Sequence, residues 1–222
     1  MISSILLGKV AFYFVFALLV FLTLREFYTL STADHIKPFH FYGSFIGVVI
    51  FTMFYIYCQK IVDEKIFLPL MPIILSFFLV ELYRKNKHPF NNIAYTVFGI
   101  VYICLPFSAL NFFVFEEKNT VNYNYHLILF YFLLVWTYDT AAYVFGLMLG
   151  SSPLFRRISP KKTWEGLIGG TIVTITLAVF LSKYYTAFSI LAWMVIGLII
   201  VIAGTFGDLA ESLYKRSLNI KV

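Results

Sequence analysis

Charge is scarce in this chain of 222 residues: 13% of the side chains are Asp, Glu, Lys or Arg, while 61% are hydrophobic. That composition excludes an ordinary soluble domain and leaves few places for polar chemistry. The two cysteines, Cys58 and Cys104, lie in or near apolar runs and give no disulfide framework. His35, His40, His88 and His126 lack metal-ligand spacing. Neither GxGxxG nor a GxxxxGK run closed by Ser or Thr occurs, so any nucleotide must be held by another arrangement. HExxH and Ser-His-Asp patterns are missing too, which argues against a membrane protease. There is no useful internal repeat and no low-complexity tract. A cleavable signal peptide is not expected, because the first apolar run is too long and lacks a small-residue cleavage site. The longest polar stretches, 25–40 and 150–165, are each about sixteen residues, too short for an independent core.

What fills the chain is apolar sequence, with a mean hydropathy of +0.86. Seven runs, at about 4–24, 43–58, 66–83, 93–113, 126–149, 166–182 and 188–206, approach or reach the length that crosses a hydrocarbon core of about 30 Å. The expected fold is all-α: a polytopic bundle of about seven transmembrane helices forming one membrane-embedded domain over residues 1–222. The second and third runs are short and flank a tight Lys60–Lys65 connection, so a hairpin that does not fully cross stays open. Seven crossings put twelve basic residues on one side and five on the other. The richer side holds Arg25, Lys37, Arg84, Lys85, Lys87, Arg156, Arg157, Lys161, Lys162, Lys215, Arg216 and Lys221, and is expected to be cytoplasmic. The net charge of +6 is spread over membrane-flanking loops, which suits anionic headgroups rather than nucleic acid. Mid-span aromatics such as Phe12-Tyr13-Phe14 read as lipid-facing bulk.

Against this background a few polar residues stand out. Asp139 sits in the middle of the fifth run, where a carboxylate costs about 3 kcal/mol unless it faces a cavity or a partner. Ala142, Tyr143 and Gly146 share its helical face. The alternative role is a buried hydrogen bond between helices. Lys161-Lys162 follow Ser159-Pro160 and precede Thr163-Trp164-Glu165-Gly166, which reads as the start of a helix whose N-terminus and lysines would favour phosphate. The alternative is a pair of headgroup anchors beside an interfacial Trp164. Asp208, Glu211, Ser212 and Lys215 fall on one helical face, with Arg216 next to it, a set suited to a divalent cation and to phosphate oxygens. An amphipathic helix resting on the membrane surface would look the same. Gly146/Gly150 and Gly166/Gly170 have GxxxG spacing and predict that the fifth and sixth spans pack together.

Three stretches, DTAAYVFG at 139–146, SPKKTWEG at 159–166 and GDLAESLYKRSLNIK at 207–221, together resemble the phosphatidate cytidylyltransferase family, also called CDP-diacylglycerol synthase. The last matches the opening of the family signature: Ser212, then Lys215-Arg216, then Lys221. REFYTL at 25–30 also resembles the end of an early family helix. The resemblance covers the whole chain and rests mainly on its last 85 residues. It implies transfer of CMP from CTP to phosphatidate with release of pyrophosphate, a requirement for Mg²⁺, and an integral protein of a bacterial inner membrane whose active side is cytoplasmic. It implies that Asp208, Lys215 and Arg216 are catalytic, with Asp208 as a metal ligand. Asp139, Lys161, Lys162, Thr163, Glu165, Glu211, Ser212 and Lys221 would bind substrate. The partners implied are CTP, phosphatidate and membrane lipids, with a homo-oligomer allowed.

The family continues past the lysine matched by Lys221 with an aspartate and then a stretch rich in metal-binding carboxylates, whereas Val222 stands here. Its members also begin with a further basic segment and helix. The expectation is therefore a piece of such an enzyme, cut at both ends or encoded by a damaged gene, with little or no activity on its own. Two other functions stay open: a CTP-dependent polyprenol or phytol kinase, and a non-catalytic lipid-binding membrane protein. A transporter is disfavoured by the lack of repeated halves.

Overall fold

A computed structural model describes residues 1–32, 36–117 and 121–217. The helical fold expected from the apolar runs is present, and among the described residues seven helices are long and apolar enough to cross a membrane. The described contacts divide the chain into two compact units, Met1–Ile128 and Leu129–Val222.

In the first unit a short α1 (Ile2–Leu6) ends at Gly8, whose φ of +106° suits a residue without a side chain. The first span therefore begins only at Lys9, as α2 (Lys9–Leu30). It packs on α3 (His40–Cys58), where glycine allows close approach: a Cβ on Gly47 would stand 2.2 Å from Leu24 Cδ1. A 3₁₀ turn (Glu64–Phe67) leads into α4 (Leu70–Arg84), so the second and third runs both reach spanning length. The fourth span is α5 (Pro89–Gly99), a π turn (Ile100–Cys104), α6 (Leu105–Ala109) and α7 (Asn111–Val114). A hairpin of β1 (Phe115–Glu117) and β2 (Val121–Tyr123) closes the unit.

One expectation is corrected here. Phe12 is not lipid-facing bulk: it is fully buried and stacks on Phe16 at 4.4 Å, and Tyr13 hydrogen-bonds Thr52 at 2.9 Å. Only Phe14 of that triplet is strongly exposed. Glu81, the one charged residue of the third apolar run, was not singled out in the sequence. Its buried carboxylate accepts from Arg84 at 3.0 Å, Asn86 at 3.1 Å and Asn92 at 2.6 Å. Asn92 Oδ1 in turn accepts from the Lys37 amide, and Arg84 donates to the Lys37 carbonyl. A buried charge paired this fully ties the α2–α3 connection to α4 and α5.

The second unit holds α8 (His126–Leu149), β3 (Pro153–Phe155), β4 (Ser159–Thr163), α9 (Trp164–Leu181) and α10 (Ile190–Ser217), with α8 entering it from the first. The GxxxG expectation holds for α8 and α9: a Cβ on Gly166 would lie 2.6 Å from the Ala142 carbonyl oxygen, and one on Gly170 3.0 Å from Ala142 Cβ. α9 packs in turn on α10, where the buried Trp193 donates to the Tyr185 carbonyl. Helix α10 does not stop at the end of its apolar run. It continues as one 28-residue helix through the polar segment to Ser217.

Candidate functional site

Between α8 and α9 the chain does not begin a helix at Ser159-Pro160, as the proline and hydroxyl suggested. Residues Ser159–Thr163 form a strand that pairs antiparallel with Pro153–Phe155. The helix starts one motif later, where the Thr163 hydroxyl caps it by accepting the Gly166 amide at 3.2 Å. The Trp164 amide is also taken, by the Ser152 carbonyl at 3.0 Å. The paired lysines thus sit on a hairpin arm rather than on a helix N-terminus. On a strand the two are not equivalent: Lys161 is exposed, and Lys162 is half-buried.

This hairpin, α8, α9 and α10 enclose a cavity of about 730 Å³. Its lining includes Asp139, Tyr143 and Gly146 from α8, Leu154, Ser159, Lys161, Lys162 and Thr163 from the hairpin, and Thr205 and Asp208 from α10. Asp139 and Asp208 are 69 positions apart in sequence, yet they face the same space. Lys162 Nζ reaches Asp208 Oδ2 at 2.5 Å. Both carboxylates open onto this cavity, and Lys162 offsets the charge of Asp208 there. Tyr143 and Leu147 give the same cavity an apolar wall.

The other expected site residues lie elsewhere. Glu165 accepts the Ser151 hydroxyl at 2.8 Å, and the Ser152 amide donates to its two oxygens at 3.2 and 3.3 Å. Lys215 pairs with Glu211 at 2.6 Å, one turn apart on α10. Arg216 Nη1 donates to the Arg157 carbonyl at 2.5 Å, at the turn of the hairpin. None of Glu165, Glu211, Ser212, Lys215 and Arg216 lines the cavity. Lys221 lies outside the described residues.

Two lining residues with hydroxyl groups escaped sequence reasoning. The Tyr138 and Thr205 hydroxyls hydrogen-bond each other across α8 and α10. Thr205 lies one helical turn before Asp208, a spacing that could have marked it. Tyr138, next to Asp139, gave no such signal. Among the described residues no group of three His, Cys, Asp or Glu side chains could hold a metal by itself. Two carboxylates on one cavity are still the usual protein share of a Mg²⁺ site, which is completed by phosphate oxygens and water.

Comparison with known proteins completes the description. Residues 1–221 match the model of the cytidylyltransferase family. The phosphatidate cytidylyltransferase of Staphylococcus aureus (strain COL) is 31% identical over 164 residues, which cover 73% of this chain and 59% of that protein. The phosphatidate cytidylyltransferase of Staphylococcus saprophyticus is 34% identical over 153 residues, 67% of this chain and 56% of that protein. The chain thus spans under two thirds of the length of the curated relatives it matches.

Proposed function

This chain belongs to the cytidylyltransferase family, and on that premise we propose that it carries the substrate cavity of a phosphatidate cytidylyltransferase. In this reading a phosphate oxygen of phosphatidate attacks the α-phosphorus of CTP. The bond to the β-phosphate oxygen breaks, pyrophosphate leaves, and CDP-diacylglycerol forms. The observation that carries the reading is the shared cavity, which brings Asp139, Asp208, Lys161 and Lys162 together from three separate stretches of sequence.

Each group has work suited to its chemistry. Two phosphates must approach one another, and Lys161 and Lys162 supply positive charge that offsets their repulsion and the charge growing on pyrophosphate. Thr163 caps α9 and fixes the end of the lysine strand. Asp139 and Asp208 would hold Mg²⁺ together with phosphate oxygens. The ion, when bound, supplies further charge neutralisation at the leaving group. In the free protein Lys162 already neutralises Asp208. The apolar wall at Tyr143 and Leu147 suits a substrate whose phosphate is attached to acyl chains. All of these groups come from one chain, so the reading needs no second copy. The cavity is assigned to the cytoplasmic face of a bacterial inner membrane, since the basic residues concentrate there and CTP is a cytoplasmic solute.

The test is incubation of protein carrying these residues with CTP labelled on the α-phosphate, phosphatidate and Mg²⁺, followed by lipid extraction. Labelled CDP-diacylglycerol is expected. Lipid that takes label only from the γ-phosphate of CTP would establish a kinase instead.

A further inference from the structure

Arg216 and Glu165 were both expected at substrate, yet both touch the arm that carries the lysines. Glu165 holds the base of the hairpin through Ser151 and Ser152. Arg216 holds its turn through the Arg157 carbonyl. Between these points Lys162 meets Asp208. Asp208 and Arg216 are eight residues apart on α10, about 12 Å at helical rise, and Arg157 and Lys162 are five apart, at most about 17 Å when extended. These spans are close enough for the second strand to run along the last turns of α10, fastened at two places. A two-stranded hairpin has little stability of its own, so the position of Lys162 depends on what grips the arm.

We propose that Arg216 and Glu165 are positioning residues, which hold the β3–β4 hairpin at its turn and its base so that Lys162 stands over the Asp139–Asp208 cavity, and that neither touches the nucleotide. The proposal rests on the cytidylyltransferase reading for the identity of the nucleotide, though not for the grip itself. Arg216 acts through a backbone carbonyl, so any residue type could stand at 157. Glu165 acts through a serine hydroxyl and an amide, so an acceptor is needed there but a charge is not.

The test uses the full chain in lipid nanodiscs and two readouts. The first is trypsin cleavage at Arg157–Ile158, the bond whose carbonyl Arg216 engages. Arg216→Ala and Glu165→Ala should each raise this rate roughly five- to tenfold, because cleavage follows the population of the opened arm. Arg216→Lys, which keeps one donor, and Glu165→Gln, which keeps the acceptor, should recover most of the protection and guard against a folding defect. The second readout is CTP binding with Mg²⁺. Arg216→Ala should weaken it roughly tenfold in the wild-type background and add little once Lys162 is alanine, since the two act in series.

Unchanged cleavage in both alanine variants overturns the proposal. So does a loss of CTP affinity on Arg216→Ala that persists in full without Lys162, because Arg216 would then contact the nucleotide itself. A wild-type chain that binds no CTP refutes the function proposed above instead, and the cleavage rates alone then decide the grip.

Discussion

Lys162 and Asp208 form a close ion pair, but their side chains keep 29% and 51% of their exposure. A pair that open to solvent contributes at most about 1 kcal/mol to stability. Its value lies in placing a cation beside a carboxylate in a cavity that must accept phosphate. Lys162→Ala should therefore leave the melting temperature within a few degrees of wild type, while turnover of CTP, measured in protein extended to the length of its relatives, falls about 10²- to 10³-fold. A large drop in thermal stability with intact turnover would assign the pair to the fold instead. Glu81 presents the opposite case. The residue is 4% exposed and its carboxylate satisfies three donors, so Glu81→Ala should destabilise the first unit by about 3 kcal/mol, measured by urea or thermal unfolding in detergent. Asp139 was legible in the sequence because charge is rare in apolar spans, and Lys162 and Asp208 because they stand in the short polar segments that border such spans. Glu81 stands out in the third run by the same rule, but its partners do not, since nothing in the sequence shows that Asn86 and Asn92 will fold back onto it.

Among the elements, α8 and α9 show how spacing becomes contact. The GxxxG pairs predicted close packing, and the backbone delivers it: the added methyl of Gly166→Ala would meet the Ala142 carbonyl oxygen at 2.6 Å, an atom that cannot swing aside. The helices would have to part, at a cost of about 1–3 kcal/mol, so melting should fall by several degrees. Gly207 in α10 has no atom within 4 Å of its added methyl. Gly207→Ala should leave melting unchanged or raise it, by up to about 1 kcal/mol of helix propensity. If both variants melt alike, close approach at Gly166 does not hold the pair together. The hairpin was the element that periodicity misplaced. Ser159-Pro160 looks like a helix start when read locally, but Pro153–Phe155 lies near enough to pair with Ser159–Thr163, and Thr163 provides a better cap. The length of α10 was also hidden, because hydropathy ends near residue 206 whereas its helical hydrogen bonding continues to Ser217.

Over the whole molecule, the count of seven spanning helices agrees with the apolar runs, and the twelve-to-five basic bias sets the expected orientation. In inverted and right-side-out vesicles, Arg156→Cys should react with a membrane-impermeant maleimide only from the cytoplasmic side, and Lys183→Cys only from the other. Cys58 and Cys104 are buried and should give little background. Reaction of both positions from one side would overturn the seven-span topology.

The sequence alone determined that the chain is helical and spans a membrane. Hydrocarbon demands long apolar helices whose backbone is satisfied internally, and that demand is met one segment at a time. It also marked the three motifs on which the family rests. Tertiary structure decided which polar groups meet: that Lys162 faces Asp208, that Tyr138 bonds Thr205, and that Glu165 and Arg216 grip an arm instead of lining a cavity. The contacts themselves, apart from the positioning role proposed for Glu165 and Arg216, depend on distances between residues that are 13 to 67 positions apart. Local propensity and hydropathy describe each segment by itself and contain no such distances.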